Sequence, residues 1–129
     1  MKKSDIISLV QGKFLEATAH CLPAEEFYKW YKFRKQISDI FNDIVKDEQS
    51  LYTQCGIKQG QKDIPAATKE KFMKVYQTFL DENVTVEISS RIPFSFYKEI
   101  YDENKTSTKD VFSNIFVESL VIANLFDQP

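Results

Sequence analysis

The sequence predicts a mainly α fold with a minor β element, in a single helical domain covering residues 1–129. One observation is the long stretch Ala24 to Cys55, which holds neither Pro nor Gly and repeats apolar residues at helical spacing. Another is the supply of only 3 Gly and 4 Pro, too few for the tight turns of a β-sandwich or barrel. The third is a 43% hydrophobic and 14% aromatic composition, with 11 Phe and 6 Tyr, enough to build one packed core and to argue against wholesale disorder.

The first helix is expected over about residues 5–20. Ser4 is placed to cap it, Asp5 suits its first turn, and Ile6, Ile7, Leu9, Val10, Phe14 and Ala17 recur at helical spacing. Pro23 ends that run and suits the first position of a second helix, followed by Glu25 and Glu26 where the helix dipole favours acids. In this second helix Trp30, Ile37, Ile44 and Leu51 recur every seven residues, flanked by Phe27, Phe33, Ile40, Phe41 and Val45. Gly56 is a natural stop. The short link at Pro23 predicts an antiparallel helical hairpin. After a polar loop over 56–67, a third helix is expected over 66–82, with Phe72, Val75, Tyr76, Phe79 and Leu80 on one face.

Val84, Val86 and Ile88 then alternate with Thr85, Glu87 and Ser89, the pattern of a half-buried strand. A lone strand leaves its backbone groups unpaired, so it is expected to pair near Ile92–Phe96 or with a second chain. A short aromatic helix is expected after Ser95. The last helix, 109–126, would start at a Thr108 cap and carry Val111, Phe112, Ile115, Phe116, Ile122, Ala123 and Phe126 on its main face. Val117, Val121 and Leu125 widen its apolar surface, which makes it either central to the core or half of an interface.

Net charge is −2 with a pI of about 5.5, so no global field favours nucleic acid or an anionic membrane. Polar Ser4 and Asp5 follow Met1-Lys2-Lys3, and no signal-peptide core comes after them. Val111 to Phe126, the most apolar stretch, is interrupted by Ser113, Asn114, Glu118, Ser119 and Asn124 and reads as a buried helix rather than a membrane span. A cytoplasmic protein is expected. Cys21 and Cys55 flank the second helix and would lie about 50 Å apart at about 1.5 Å rise per residue, which excludes a bridge between them. Without secretion, the sequons at Asn83 and Asn104 mean little.

Candidate chemistry is sparse. His20 is the only histidine, and its neighbour Cys21 points away from it on a helix, so a Cys–His pair is not expected; a helix-end histidine is the plainer reading. One His and two distant Cys cannot form a structural zinc site. Phosphate-loop, dinucleotide, nucleophile-elbow and zinc-protease motifs are missing. No cofactor, no metal, no small-molecule substrate and no enzymatic activity are expected.

Asp39, Asp43 and Asp47 form a column on the second helix that a cation or a basic partner would relieve, or that is simply solvated. Tyr28-Lys29-Trp30-Tyr31-Lys32-Phe33-Arg34-Lys35 alternates basic and aromatic residues, a composition suited to phosphates and bases. Trp30 and Phe33 belong to the apolar stripe, which leaves Tyr28, Lys32 and Lys35 sharing an outer face. The helix is therefore basic over 29–35 and acidic over 39–48, an arrangement that two antiparallel copies would match.

The order of these elements resembles a family of small, uncharacterised proteins encoded in phage and prophage genomes. The resemblance rests on Cys21-Leu22-Pro23, on Tyr28, Tyr31 and Ile37 in a long Tyr/Lys-rich helix, on Phe72 to Leu80, and on Glu82-Asn83-Val84-Thr85-Val86-Glu87-Ile88 leading into Ile92-Pro93-Phe94. It covers about residues 4–100, holds no diagnostic motif and leaves the last helix outside. It implies a role in virion morphogenesis and supplies no catalytic residues.

The expected function is a non-enzymatic helical interaction or assembly accessory that binds itself or another protein. Its candidate surface is Tyr28, Lys32, Lys35, Asp39, Asp43, Asp47, Val121 and Leu125. The alternative is a nucleic-acid-binding accessory using Lys29, Lys32, Arg34 and Lys35.

Overall fold

The computed structural model describes residues 1–58, 60–105 and 111–127. It is 70% helical. Its α-helices are α1 (Lys3–Gln11), α2 (Ala24–Gln54), α3 (Ala66–Asp81), α4 (Tyr97–Lys105) and α5 (Ile115–Leu125). Single 3-10 turns lie at Phe14–Glu16, Phe94–Phe96 and Val111–Ser113.

α1 is shorter than the sequence suggests. Its cap position is Lys2, whose N–H donates to the Asp5 carboxylate at 3.0 Å, while Ser4 lies inside the first turn. The helix stops at Gln11, where the chain passes close against α5 and then changes direction. A β-carbon at Gly12 would overlap the Val117 side chain, and Lys13 turns left-handed with φ 65°. The chain beyond Glu16 is extended, with Ala17 and Ala19 buried.

α2 is continuous over Ala24–Gln54, with Pro23 immediately before it rather than as its first helical residue. Trp30, Phe33, Ile37 and Ile44 are buried, and Leu51 is half-buried where the helix reaches the edge of the core. Gly56, at φ 75°, ends it; the Ile57 N–H returns to the Tyr52 carbonyl at 2.9 Å and satisfies one of the last carbonyls. α3 packs on α2 through Phe72, the Tyr76 hydroxyl donates to the Glu48 carboxylate at 3.2 Å, and buried Phe79 lies under the Lys3 ammonium of α1. Tyr52 stacks on Phe72 with ring centroids 4.5 Å apart.

The expected strand does not form. Among the described residues there is no β-strand, only single bridges between Lys2 and Asn83 and between Ile92 and Phe126. Val84, Val86 and Ile88 still pack half-buried on the core, as their alternation requires. The backbone of this segment finds partners elsewhere: Val84 N–H donates to Met1 O at 2.7 Å, and the Gln36 carboxamide both donates to Glu87 O at 2.7 Å and accepts from Glu87 N–H at 2.8 Å. Ile92 pairs with the end of α5, donating to Leu125 O at 2.9 Å and accepting from Asp127 N–H at 2.9 Å. It does not pair with 84–88.

α5 begins later than the sequence suggests. Asn114 is its cap, accepting from Phe116 N–H at 3.0 Å and Val117 N–H at 3.3 Å; the alternative cap Thr108 lies outside the described residues. Val111 and Phe112 are buried in a separate turn ahead of it. Arg91 closes its other end, donating to Ala123 O at 2.6 Å and Phe126 O at 3.1 Å. The core centres on Trp30, Phe14 and Phe33, with Phe14 lying 5.4 Å from Trp30 and 5.5 Å from Phe33 between ring centroids.

Candidate interaction surface

A helix advances about 100° per residue, so Tyr28, Lys32, Lys35, Asp39, Asn42 and Lys46 follow one another along a single exposed ridge of α2. Asp43 stands on the Lys32 flank of that ridge, and Tyr31 on the opposite flank. Tyr28 is 59% exposed and Tyr31 44%. The Lys32 ammonium lies 5.6 Å from the Tyr28 ring centroid, and Lys35 pairs with Asp39 at 3.0 Å. That pairing raises the Lys35 pKa, through the hydrogen bond first and the Asp39 charge second. The column of aspartates is thus partly neutralised within the helix; Asp43 and Asp47 are exposed and make no ion pair with the described residues. No group of three His, Cys, Asp or Glu among the described residues is arranged to hold a metal ion.

The four cations of the nucleic-acid alternative do not share a surface. Lys29 turns toward Glu26 at 2.9 Å and the Arg91 carbonyl at 3.3 Å. Arg34 reaches the carbonyls of Leu15 and Ala17, each at 3.5 Å. Only Lys32 and Lys35 remain on the ridge. Two open furrows flank it. One, of about 210 Å³, runs between Tyr28, Lys32 and Gln36 and the extended residues Glu87 and Ser89. The other, of about 280 Å³, lies between Tyr31, Lys35 and Leu15. A larger open hollow of about 570 Å³ sits where the end of α2 meets the following loop, around Tyr52, Ile57 and Ile64.

Val121 and Leu125 are not surface residues. Both are fully buried, in a Val117–Val121–Leu125 row that faces the interior. The break at Ser113–Asn114 resets the helical phase, so that row is inward while Ile115 and Phe116 turn out. Ile115 is 80% exposed and Phe116 52%. The sequence reading missed this pair because it ran one helix through 109–126. The Asn114 side chain ahead of Ile115-Phe116-Val117 is the capping signal that marks the true start.

Cys21 is tied to α4 through Glu103. Its N–H and that of His20 donate to the two Glu103 oxygens at 2.8 Å and 3.0 Å. Partial burial of the sulfur and the Glu103 carboxylate push the Cys21 thiol up to about 11, the opposite of an activated thiolate. Burial opposes ionisation of Glu103, but hydrogen bonds from Thr18, His20 and Cys21 outweigh it and hold the carboxyl below its usual range. The His20 ring stacks on Phe27 at 6.0 Å. Tyr97, pressed among Phe94, Phe112 and Phe126, has its hydroxyl pKa raised by burial and by the Glu118 carboxylate. No helix among the described residues is long and apolar enough to cross a membrane. Compared with known proteins, the chain matches no family model, no curated protein and no solved structure.

Proposed function

We propose that this is a non-enzymatic protein–protein interaction protein, used as an assembly accessory. The observation that carries this reading is the Ile115–Phe116 pair, two large apolar side chains held outward on the capped first turn of α5. A side chain of this kind loses contact with water only when another molecule covers it, and neighbouring exposed apolar groups on a rigid helix suit a protein partner. The exposed tyrosines of α2 support the same reading, since Tyr combines apolar area with a polar tip. So does the commitment of Lys29 and Arg34 to contacts within the chain, which leaves too thin a cationic surface to track a phosphate backbone. The raised Cys21 pKa and the stacked His20 favour a binding role over nucleophilic chemistry.

The test is site-specific photocrosslinking in the native host, with the reactive group at position 116, at position 28, and at Lys71 on the exposed side of α3. A discrete protein adduct at 116 or 28, without one at 71, is expected. No position-specific adduct would overturn the reading. Salt-dependent binding to oligonucleotides that is lost on Lys32→Ala would put the nucleic-acid reading in its place. The assembly role, which the phage-like element order suggests, stands or falls with whether the gene lies among head or tail genes.

A further inference from the structure

Resting on the interaction reading above, we propose that the ridge of α2 docks antiparallel on the same ridge of a second copy of this chain. The case is one of register. A two-fold axis normal to the helix pair, at the level of Ile37, sets each residue opposite one equally far on the other side of Ile37. Lys35 then faces the partner's Asp39, each two residues from the axis. Lys32 faces the partner's Asp43, within about 1.5 Å along the helix, one residue's rise. Tyr31 falls beside the partner's Asn42, and Tyr28 beside the partner's Lys46, an ammonium over an aromatic face.

The flanks agree as well as the levels. This symmetry keeps side chains on one flank together, and Lys32 and Asp43 share a flank, as Tyr31 and Asn42 share the other. No like-charged pair is brought together at these positions. A parallel arrangement fails this condition, because it sets Lys32, Lys35 and the aspartates against their own copies. The existing Lys35–Asp39 bond at 3.0 Å would become half of an alternating four-charge cluster across the axis. The ridge also stands clear of its neighbours, between the two open furrows at Leu15 and at Ser89, so a second helix can approach it. A nucleic acid would meet Asp39, Asp43 and Asp47 along the same face, which disfavours it as the occupant.

A face this polar is a weak, salt-sensitive interface rather than an obligate one. Sedimentation equilibrium of the full chain, up to about 1 mM, would therefore show a monomer–dimer equilibrium near 0.01 M salt, where screening extends about 30 Å, and monomer near 1 M, where it falls to about 3 Å. The decisive variants are Lys32→Glu and Asp43→Lys. Both sites are exposed, so both variants should keep the wild-type circular dichroism and melting temperature. Alone, each sets like charges across the axis and should dimerise at least about tenfold more weakly. Mixed, they form a heterodimer in which Glu at 32 meets Lys at 43 and the native Lys32 meets the native Asp43, so association should return. A strictly monomeric wild-type chain in low salt, or a mixture no better than its components, overturns the pairing. Self-association that ignores salt and both reversals but disappears in Phe116→Ser also overturns it and moves the contact to α5, where the broader interaction reading would still hold. That broader reading fails separately, on the crosslinking result.

Discussion

Gly12→Ala tests the closest approach in the fold. Gly12 has φ −78° and ψ 10°, a conformation alanine adopts freely. On backbone grounds alone the substitution should stabilise the protein by about 0.4–1 kcal/mol, by reducing the freedom of the unfolded chain. Packing argues the other way. The added methyl would overlap a Val117 methyl and sit 3.2 Å from the Ser8 carbonyl oxygen, and Val117 is fully buried, with no room to swing aside. Overpacking of this kind costs about 1–3 kcal/mol. The packing term is the larger, so a net loss of about 1–2 kcal/mol is expected in urea denaturation. Val117→Ala alone should cost about 2–3 kcal/mol, from some 0.8 kcal/mol per buried carbon plus the space left behind. Together the two should cost less than their sum by at least about 1 kcal/mol, since the new methyl occupies the volume the valine vacates. A neutral or stabilising Gly12→Ala, or strict additivity in the double variant, would show that α1 and α5 do not meet at this point.

Ile44→Ala should cost about 2–5 kcal/mol, while Leu51→Ala, at the half-buried end of the same stripe, should cost clearly less; equal losses would contradict the tapering of the core along α2. Asn104→Ala should cost about 1–3 kcal/mol and speed amide exchange at Thr18, because both backbone groups of Thr18 lose their partner; unchanged exchange would remove Asn104 from that role. Cys21 should react with a thiol reagent at pH 8 about tenfold more slowly in the folded protein than in urea, since a pKa raised from 9.0 to about 11 lowers the thiolate fraction about a hundredfold while making the remaining thiolate nearly tenfold more nucleophilic. The rate should climb as the pH approaches 11, and Glu103→Gln should raise it at pH 8; a folded-state rate equal to that in urea would refute the placement of Glu103.

What the sequence revealed follows from how local each signal is. α2 was legible almost to the residue, because an uninterrupted apolar stripe and a glycine stop need nothing from the rest of the chain. α3 was legible from its apolar stripe and the proline ahead of it, without a glycine stop. α1 was misjudged at its far end, because Phe14 and Ala17 fall on helical spacing yet reach the core from a 3-10 turn and an extended segment. The helix ends where Gly12 crosses Val117, a contact between positions 105 residues apart in the chain, and Lys13 then turns left-handed. The inversion of α5 has a similar origin. With nearly every position apolar, the pattern does not say which side is buried, and only the cap at Asn114 fixes the phase that hides Val121 and Leu125 and exposes Ile115 and Phe116. Of the candidate surface, the α2 members lie where the sequence put them because helix geometry alone orders them.

The missing strand shows what replaces a sheet in so helical a protein. Alternation at Val84, Val86 and Ile88 reports only that one side of an extended chain is buried, not who satisfies its backbone. Here a helix does so. The Gln36 carboxamide presents one donor and one acceptor in the same plane, as a peptide group does, and it takes up both the N–H and the C=O of Glu87. Asn104 on α4 does the same for Thr18, accepting at 3.0 Å and donating at 2.8 Å, and its second amide hydrogen reaches Ile100 O at 2.8 Å. Asn104 is 4% exposed and is the one buried polar residue among the described residues, and the cost of burying it is offset because its amide group is hydrogen-bonded through both oxygen and nitrogen. Both extended segments of the chain, 17–19 and 84–88, thus have one residue clasped on both sides by a helix-borne amide, with Arg34 on the Ala17 carbonyl, Met1 O on the Val84 N–H and apolar side chains completing the attachment. A hydrogen-bonded ladder would fix every second residue and require a neighbouring strand; a single amide clasp fixes one and requires only a helix already in place. That is why so few backbone bonds hold the 84–88 segment, and why α2, which carries Gln36 on one flank and the charged ridge beside it, both secures the segment and keeps its outer face open.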